Sequence, residues 1–79
     1  MVILNNQMTT DIAKQFGKNV RKYRIMQKLS QEELANRADL HRTQITLIES
    51  GKRCPRLDTI YKLATALNIK PEGLLTKTL

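Results

Sequence analysis

Leu29-Ser30-Gln31-Glu32-Glu33-Leu34-Ala35, followed at a distance by Ile45…Ile48-Glu49-Ser50-Gly51-Lys52, is the stretch on which the fold turns. Ser30 with Glu33 in the same turn reads as a capping box, in which serine and glutamate satisfy free backbone N–H groups at a helix start. Leu34, Ala35 and Ala38 give the helix that follows an apolar side. That helix is expected to stop near Ala38, because Asp39-Leu40-His41 reads as a tight turn. A further helix runs from about Arg42 to Ser50, and Gly51 is a good left-handed stop for it.

Outward from this pair, the pattern stays helical. Thr10 can cap a first helix that reaches about Gln27, with Asp11 in its first turn. Ile12, Phe16, Val20 and Tyr23 recur on it at helical spacing. Lys14, Lys18, Arg21, Lys22 and Lys28 fall on the opposite face. Residues 1–9 are polar after a short apolar start and read as a flexible segment ahead of a domain at 10–79. Beyond Gly51, Lys52-Arg53-Cys54-Pro55-Arg56 is a basic loop. A fourth helix spans about Leu57 to Asn68, with Ile60, Leu63, Ala64 and Leu67 on one face. Pro71 suits the first position of a short fifth helix ending around Leu75. Tyr23 and Tyr61 are expected at core edges. The prediction is a compact all-α domain of five helices with short connections.

Composition narrows the function. In 79 residues, 41% are hydrophobic, enough for one small core without staples. Cys54 is the only cysteine, which excludes an internal disulfide. No His/Cys cluster suggests a metal, and no cofactor is expected. The longest apolar run, Val2 to Leu4, excludes a membrane span, and no signal-peptide pattern precedes it, so a cytoplasmic protein is expected. Fourteen Lys+Arg against seven Asp+Glu give a net charge of +7, the balance of a nucleic-acid binder. Aromatic residues are 4%, too few for base stacking on single strands or RNA. One His41, one Cys54 and scattered carboxylates supply no nucleophile–base pair, so an enzyme is not expected.

Two short helices joined by a tight turn, with a basic loop behind them, form a helix-turn-helix arrangement. The run from Phe16-Gly17 through Val20-Arg21, Arg24 and the Leu29–Ala35 stretch resembles the lambda-repressor-like (Xre or Cro/C1) family. The resemblance continues through Ile48-Glu49-Ser50-Gly51-Lys52-Arg53-Cys54-Pro55 and Leu57–Ile69. It departs at Lys28, where the family often has glycine, and at Lys70, where it often has a capping residue. The Lys70 cap and Gly73 both weaken the fifth helix.

A helix advances about 100° per residue, so with Ile45 inward, Ile48 and Glu49 lie near it. Thr43, Thr46, Leu47 and Ser50 then face away, flanked by Arg42. Arginine, threonine and leucine suit a major groove, where they meet guanine edges and thymine methyls. Arg42, Thr43, Thr46 and Leu47 are candidate base contacts. Gln44 can reach a base edge or a phosphate, and loop Arg53 can enter a groove as its counterpart does in some restriction–modification controller proteins. Ser30, Gln31, His41, Ser50, Lys52 and Arg56 are candidate phosphate contacts. Gln31 opens a helix whose N–H groups attract anions, and the resemblance implies that it also braces the third helix. His41 could instead cap the third helix. The resemblance further implies a structural ion pair between Arg24 and Glu49.

Helix-turn-helix domains usually bind as two-fold dimers. The end-of-chain cluster Leu67, Ile69, Leu74 and Leu75 is the candidate dimer interface, although part of it can complete the monomer core. Five helices consume the chain, so no small-molecule effector is expected. The expected partners are a second copy and double-stranded DNA carrying a palindromic operator. The resemblance, with Arg42-Thr43-Gln44-Ile45, points to a self-regulating controller protein of a restriction–modification system. A small phage or mobile-element repressor, and an antitoxin whose main partner is a toxin protein, are the alternatives.

Overall fold

The structure, a computed structural model, describes residues 6–76. It contains α1 (Asn6–Met26), α2 (Gln31–Ala38), α3 (Arg42–Glu49), α4 (Leu57–Ala66) and α5 (Pro71–Leu75), with no strand among the described residues. The helix starts follow their local chemistry. Ser30 Oγ accepts from the Glu33 N–H at 3.0 Å, and the Ser30 N–H donates to Glu33 Oε1 at 2.9 Å, so the capping box is complete. The Ser30 backbone bond, then its hydroxyl, holds the Glu33 carboxyl below the usual carboxylate range. A depressed carboxyl stabilises the fold above its ordinary pKa and loses that contribution as pH falls through the folded value. The Ser30 amide is therefore expected to lose hydrogen-exchange protection in acid and to regain it on return to neutral pH, read by NMR.

The connections use left-handed residues. Lys28 (φ 58°), Asp39 (φ 56°), Asn68 (φ 55°) and Gly51 (φ 75°) each end a helix or its last turn. At Lys28 this is the departure from glycine, and it carries a side chain at a backbone cost of about 1 kcal/mol.

One core joins all the helices. Val20, Leu34, Ile45, Ile48, Leu63, Leu67 and Leu74 are fully buried, with Phe16, Leu29 and Ala35 among them. Helix α1 packs on α3 and α5, α2 on α3 and α4, and α4 on α5.

Several expectations need correction. Helix α1 begins at Asn6, so Thr10 lies inside it and the segment 1–9 is partly helical. Asn6-Gln7-Met8-Thr9 contains no Gly or Pro to stop the helix running further back. Residues 1–5 and 77–79 lie outside the described residues. Ile12 is exposed rather than inward, and Ala13 takes the core position. Tyr23 packs at the core edge as expected, whereas Tyr61 is 68% exposed. Helix α5 forms without a side-chain cap from Lys70. Its end is held from α1 instead. Buried Asn19 donates through Nδ2 to the carbonyls of Leu74 at 2.8 Å and Thr76 at 2.7 Å, and its Oδ1 accepts from Gln15 at 3.1 Å.

Candidate nucleic-acid interface

The site is built on α3, and α3 is positioned from α1. Gly17 of α1 faces the end of α3 so closely that a Cβ there would lie 2.1 Å from the Ile48 carbonyl oxygen. One turn from Gly17, toward the N-terminus of α1, Lys14 lies over Gly51, where a Cβ would come within 2.7 Å of Lys14 Cγ. The missing side chains let two backbones touch, which fixes the height of α3 above the core.

The ion pair implied by the resemblance is present. Arg24 Nε donates to Glu49 Oε2 at 2.7 Å, and Arg24 Nη2 donates to Glu49 Oε1 at 3.0 Å. Their side chains are 13% and 5% exposed, so water screens the pair weakly. Arg24 Nη1 also donates to the Leu29 carbonyl at 2.8 Å. One guanidinium thus ties α1 to α3 and to the turn before α2. The Glu49 carboxylate accepting its N–H groups holds Arg24 above its ordinary pKa, against partial burial.

Gln31 extends this network. Its Nε2 donates to Glu49 Oε1 at 3.2 Å, and its Oε1 accepts from the Thr46 hydroxyl at 3.1 Å. Thr46 Oγ1 also lies 3.2 Å from the Arg42 carbonyl. The hydroxyl proton of Thr46 is therefore engaged locally. What remains is a methyl group and oxygen lone pairs, which suit a thymine methyl or a base amino group. Gln44 is engaged as well, since its Oε1 accepts from the His41 N–H at 3.0 Å and closes the start of α3. His41 stands at the N-cap position of α3, in extended backbone conformation.

The remaining candidates are displayed as their spacing predicted. Ile45 and Ile48 are buried, while Arg42, Thr43, Thr46 and Ser50 are exposed and Leu47 is half-buried. Ser50 Oγ donates to the Leu47 carbonyl at 3.0 Å. Ser30, His41, Lys52, Arg53 and Arg56 are exposed, and Gln31 is half-buried between α2 and α3. Arg56 makes an exposed ion pair with Asp58 at 3.4 Å, an interaction worth little in water.

The candidate dimer cluster is mostly not a surface. Leu67 and Leu74 are fully buried, and Ile69 is half-buried against the core. Leu67 lies one turn beyond Leu63 on the inward face of α4, and Leu74 is drawn in where Asn19 holds the end of α5. Leu75 alone of the four is well exposed. Among the described residues the most exposed large apolar side chains are Leu57 (84%) and Tyr61 (68%) on α4, and Ile12, Ile25 and Met26 are exposed on α1. With Ile60 and Pro71, Leu57 and Tyr61 line an open groove of about 880 Å³, flanked by Arg56, Asp58 and Lys62. Sequence reading missed this pair. Its signal was the Leu57/Tyr61 spacing of one helical turn, off the Leu63–Leu67 face.

A short capped helix, a left-handed turn and an outward-facing second helix with a basic loop define a helix-turn-helix DNA-binding protein. The chain belongs to the Helix-turn-helix family HTH_3, whose model matches residues 20–74, and it is a transcriptional regulator of this Xre type. It is similar to control protein C.BamHI of Bacillus amyloliquefaciens, 46% identical over 72 residues, covering 90% of this chain and 89% of the relative. Control protein C.SmaI of Serratia marcescens is 45% identical over 67 residues, covering 85% and 80%. The crystal structure of the restriction-modification controller protein C.AhdI from Aeromonas hydrophila superposes with a TM-score of 0.77 at 42% identity, covering 78% of this chain and 94% of that one. The named relatives are regulators or controller proteins, not enzymes. Among the described residues no helix is long and apolar enough to cross a membrane.

Proposed function

We propose that this protein is a self-regulating controller of a restriction–modification system, binding a palindromic operator as a homodimer. The observation that carries the reading is the outward face of α3, exposed at Arg42, Thr43 and Thr46 on a helix held from behind by Arg24, Glu49 and Gln31. The names of the controller relatives support the regulatory role. In this reading Arg42, Thr43, Gln44, Thr46, Leu47 and Arg53 meet base edges. Ser30, Gln31, His41, Ser50, Lys52 and Arg56 meet phosphates.

Selection from a random double-stranded DNA pool at about 0.15 M salt tests it, because non-specific binding is weak there. Two related half-sites one helical turn apart are expected. Salt-sensitive binding without any enriched sequence would overturn the reading. Arg42→Ala is expected to cost about 1–3 kcal/mol and to relax preference at one base pair of each half-site. Equal losses on operator and random DNA would remove Arg42 from base readout.

Of the expected dimer residues Leu67, Ile69, Leu74 and Leu75, only Leu75 is well exposed, and we propose the α4 groove at Leu57 and Tyr61 as the dimer contact instead. An exposed aromatic beside an exposed leucine is the composition of an interface centre. Tyr61→Glu is expected to shift the protein to monomer in analytical ultracentrifugation and to weaken operator binding, with the melting temperature nearly unchanged. An unaltered sedimentation profile would place the interface elsewhere.

A further inference from the structure

By spacing alone, the cations of α1 are the polar side of an amphipathic helix. Their placement in the fold gives them a second role. Taking Gly17 as the point where α1 meets α3, Arg21, Lys14 and Lys18 follow at about 40°, 60° and 100° around one flank. The buried residues Ala13, Val20 and Phe16 lie on the other side of Gly17. Lys14, Lys18 and Arg21 are all exposed, and neither ion pair of the described residues uses them. Lys14 packs across Gly51, the residue immediately before Lys52. The flank is thus continuous with the basic loop that follows α3.

The α3 C-terminus does not account for this charge. A helix end carries about half a negative charge, felt within its last turn, and one lysine suffices to balance it. The surplus is free to meet a larger anion in line with the α3 end. Resting on the proposed DNA reading, we propose that Lys14, Lys18 and Arg21 form a second phosphate-binding wall. It grips the operator backbone beyond the segment covered by α3, adding affinity and register without base preference.

The experiment compares the full-length chain with Lys14→Gln/Lys18→Gln and, for equal charge removal, with Arg37→Gln/Lys70→Gln at exposed sites on α2 and before α5. The probe is the duplex enriched from the random pool, titrated between about 0.05 and 0.2 M salt, the range over which phosphate neutralisation dominates the change in affinity. For the α1 variant the slope of log affinity against log salt is expected to flatten by about 0.9 for each phosphate no longer neutralised. Affinity at the lower salt is expected to fall about 10- to 100-fold, with the base preference unchanged. Hydroxyl-radical protection is expected to disappear at the flank of each half-site. The Arg37/Lys70 variant is expected to keep the wild-type slope. Equal slopes in both variants, with normal melting curves, would overturn the wall and leave these residues as a solvated face. A changed base preference would also overturn it. Failure of the wild-type chain to enrich any duplex is a separate result and strikes the DNA-operator reading itself.

Discussion

Gly17→Ala is expected to destabilise the domain by about 3 kcal/mol, the upper end for forcing a methyl group into a packed site. The added carbon would lie 2.1 Å from the Ile48 carbonyl oxygen and 3.0 Å from that of Glu49. Both are backbone atoms, so no side chain can swing aside, and α3 must move. A domain of 79 residues has roughly 4–12 kcal/mol in total at the usual stability per residue. The melting temperature is expected to fall by about 12–24 °C. Operator affinity is expected to fall further than the folded fraction explains, because the displaced helix carries Arg42 and Thr46. Calorimetry and DNA titration on the same sample separate the two effects. A variant that melts like wild type would show that α1 and α3 have slack where the structure brings their backbones together.

Arg24→Met is the second large effect, about 3–5 kcal/mol, the range for removing one partner of a mostly buried pair. Glu49 would keep only the Gln31 amide, and the Leu29 carbonyl would lose its guanidinium donor. Adding Glu49→Met is expected to recover most of the loss, since the stranded charge goes with it. Urea midpoints of the two single variants and the double variant give the coupling directly. A loss below about 1 kcal/mol in Arg24→Met would place the pair with screened surface interactions instead. Arg24→Lys is expected to fall between, because an ammonium cannot hold both carboxylate oxygens in the fork that Arg24 makes.

The parts legible in the sequence are those set by neighbours along the chain. Ser30 and Glu33 close their own box, Gly51 stops α3, and Pro71 opens α5. The face of α3 is legible because Ile45 and Ile48 fix its rotation. Ile12 is misleading because hydrophobic spacing weighs large side chains and overlooks small ones. Gly17 lets α1 meet the α3 backbone and Ala13 is buried one turn away, which leaves Ile12 at a groove edge beside Leu75. Asn19 gives no local sign, since its partners are the carbonyls of Leu74 and Thr76 at the far end of the fold. In the sequence Leu67 and Leu74 read equally as dimer surface or as part of the monomer core. Their burial depends on how α4 and α5 dock, which no local pattern encodes.

Gly17 and Asn19 stand on nearly opposite sides of one turn of α1, since two steps rotate the helix by about 200°. One touches α3 and the other holds α5, whose first residue lines the groove at Leu57 and Tyr61. A helix is about 10 Å across, so the two surfaces are mounted on a single rod with no loop between them. In a two-fold dimer any tilt of that rod shifts both recognition helices in opposite senses, and the error in their separation doubles. Side chains on α3 can be exchanged to suit new bases without touching the rod. A change in the distance between half-sites would require the mounting itself to be rebuilt. Such regulators are therefore free to diverge in the letters they read and constrained in the ruler they read them with.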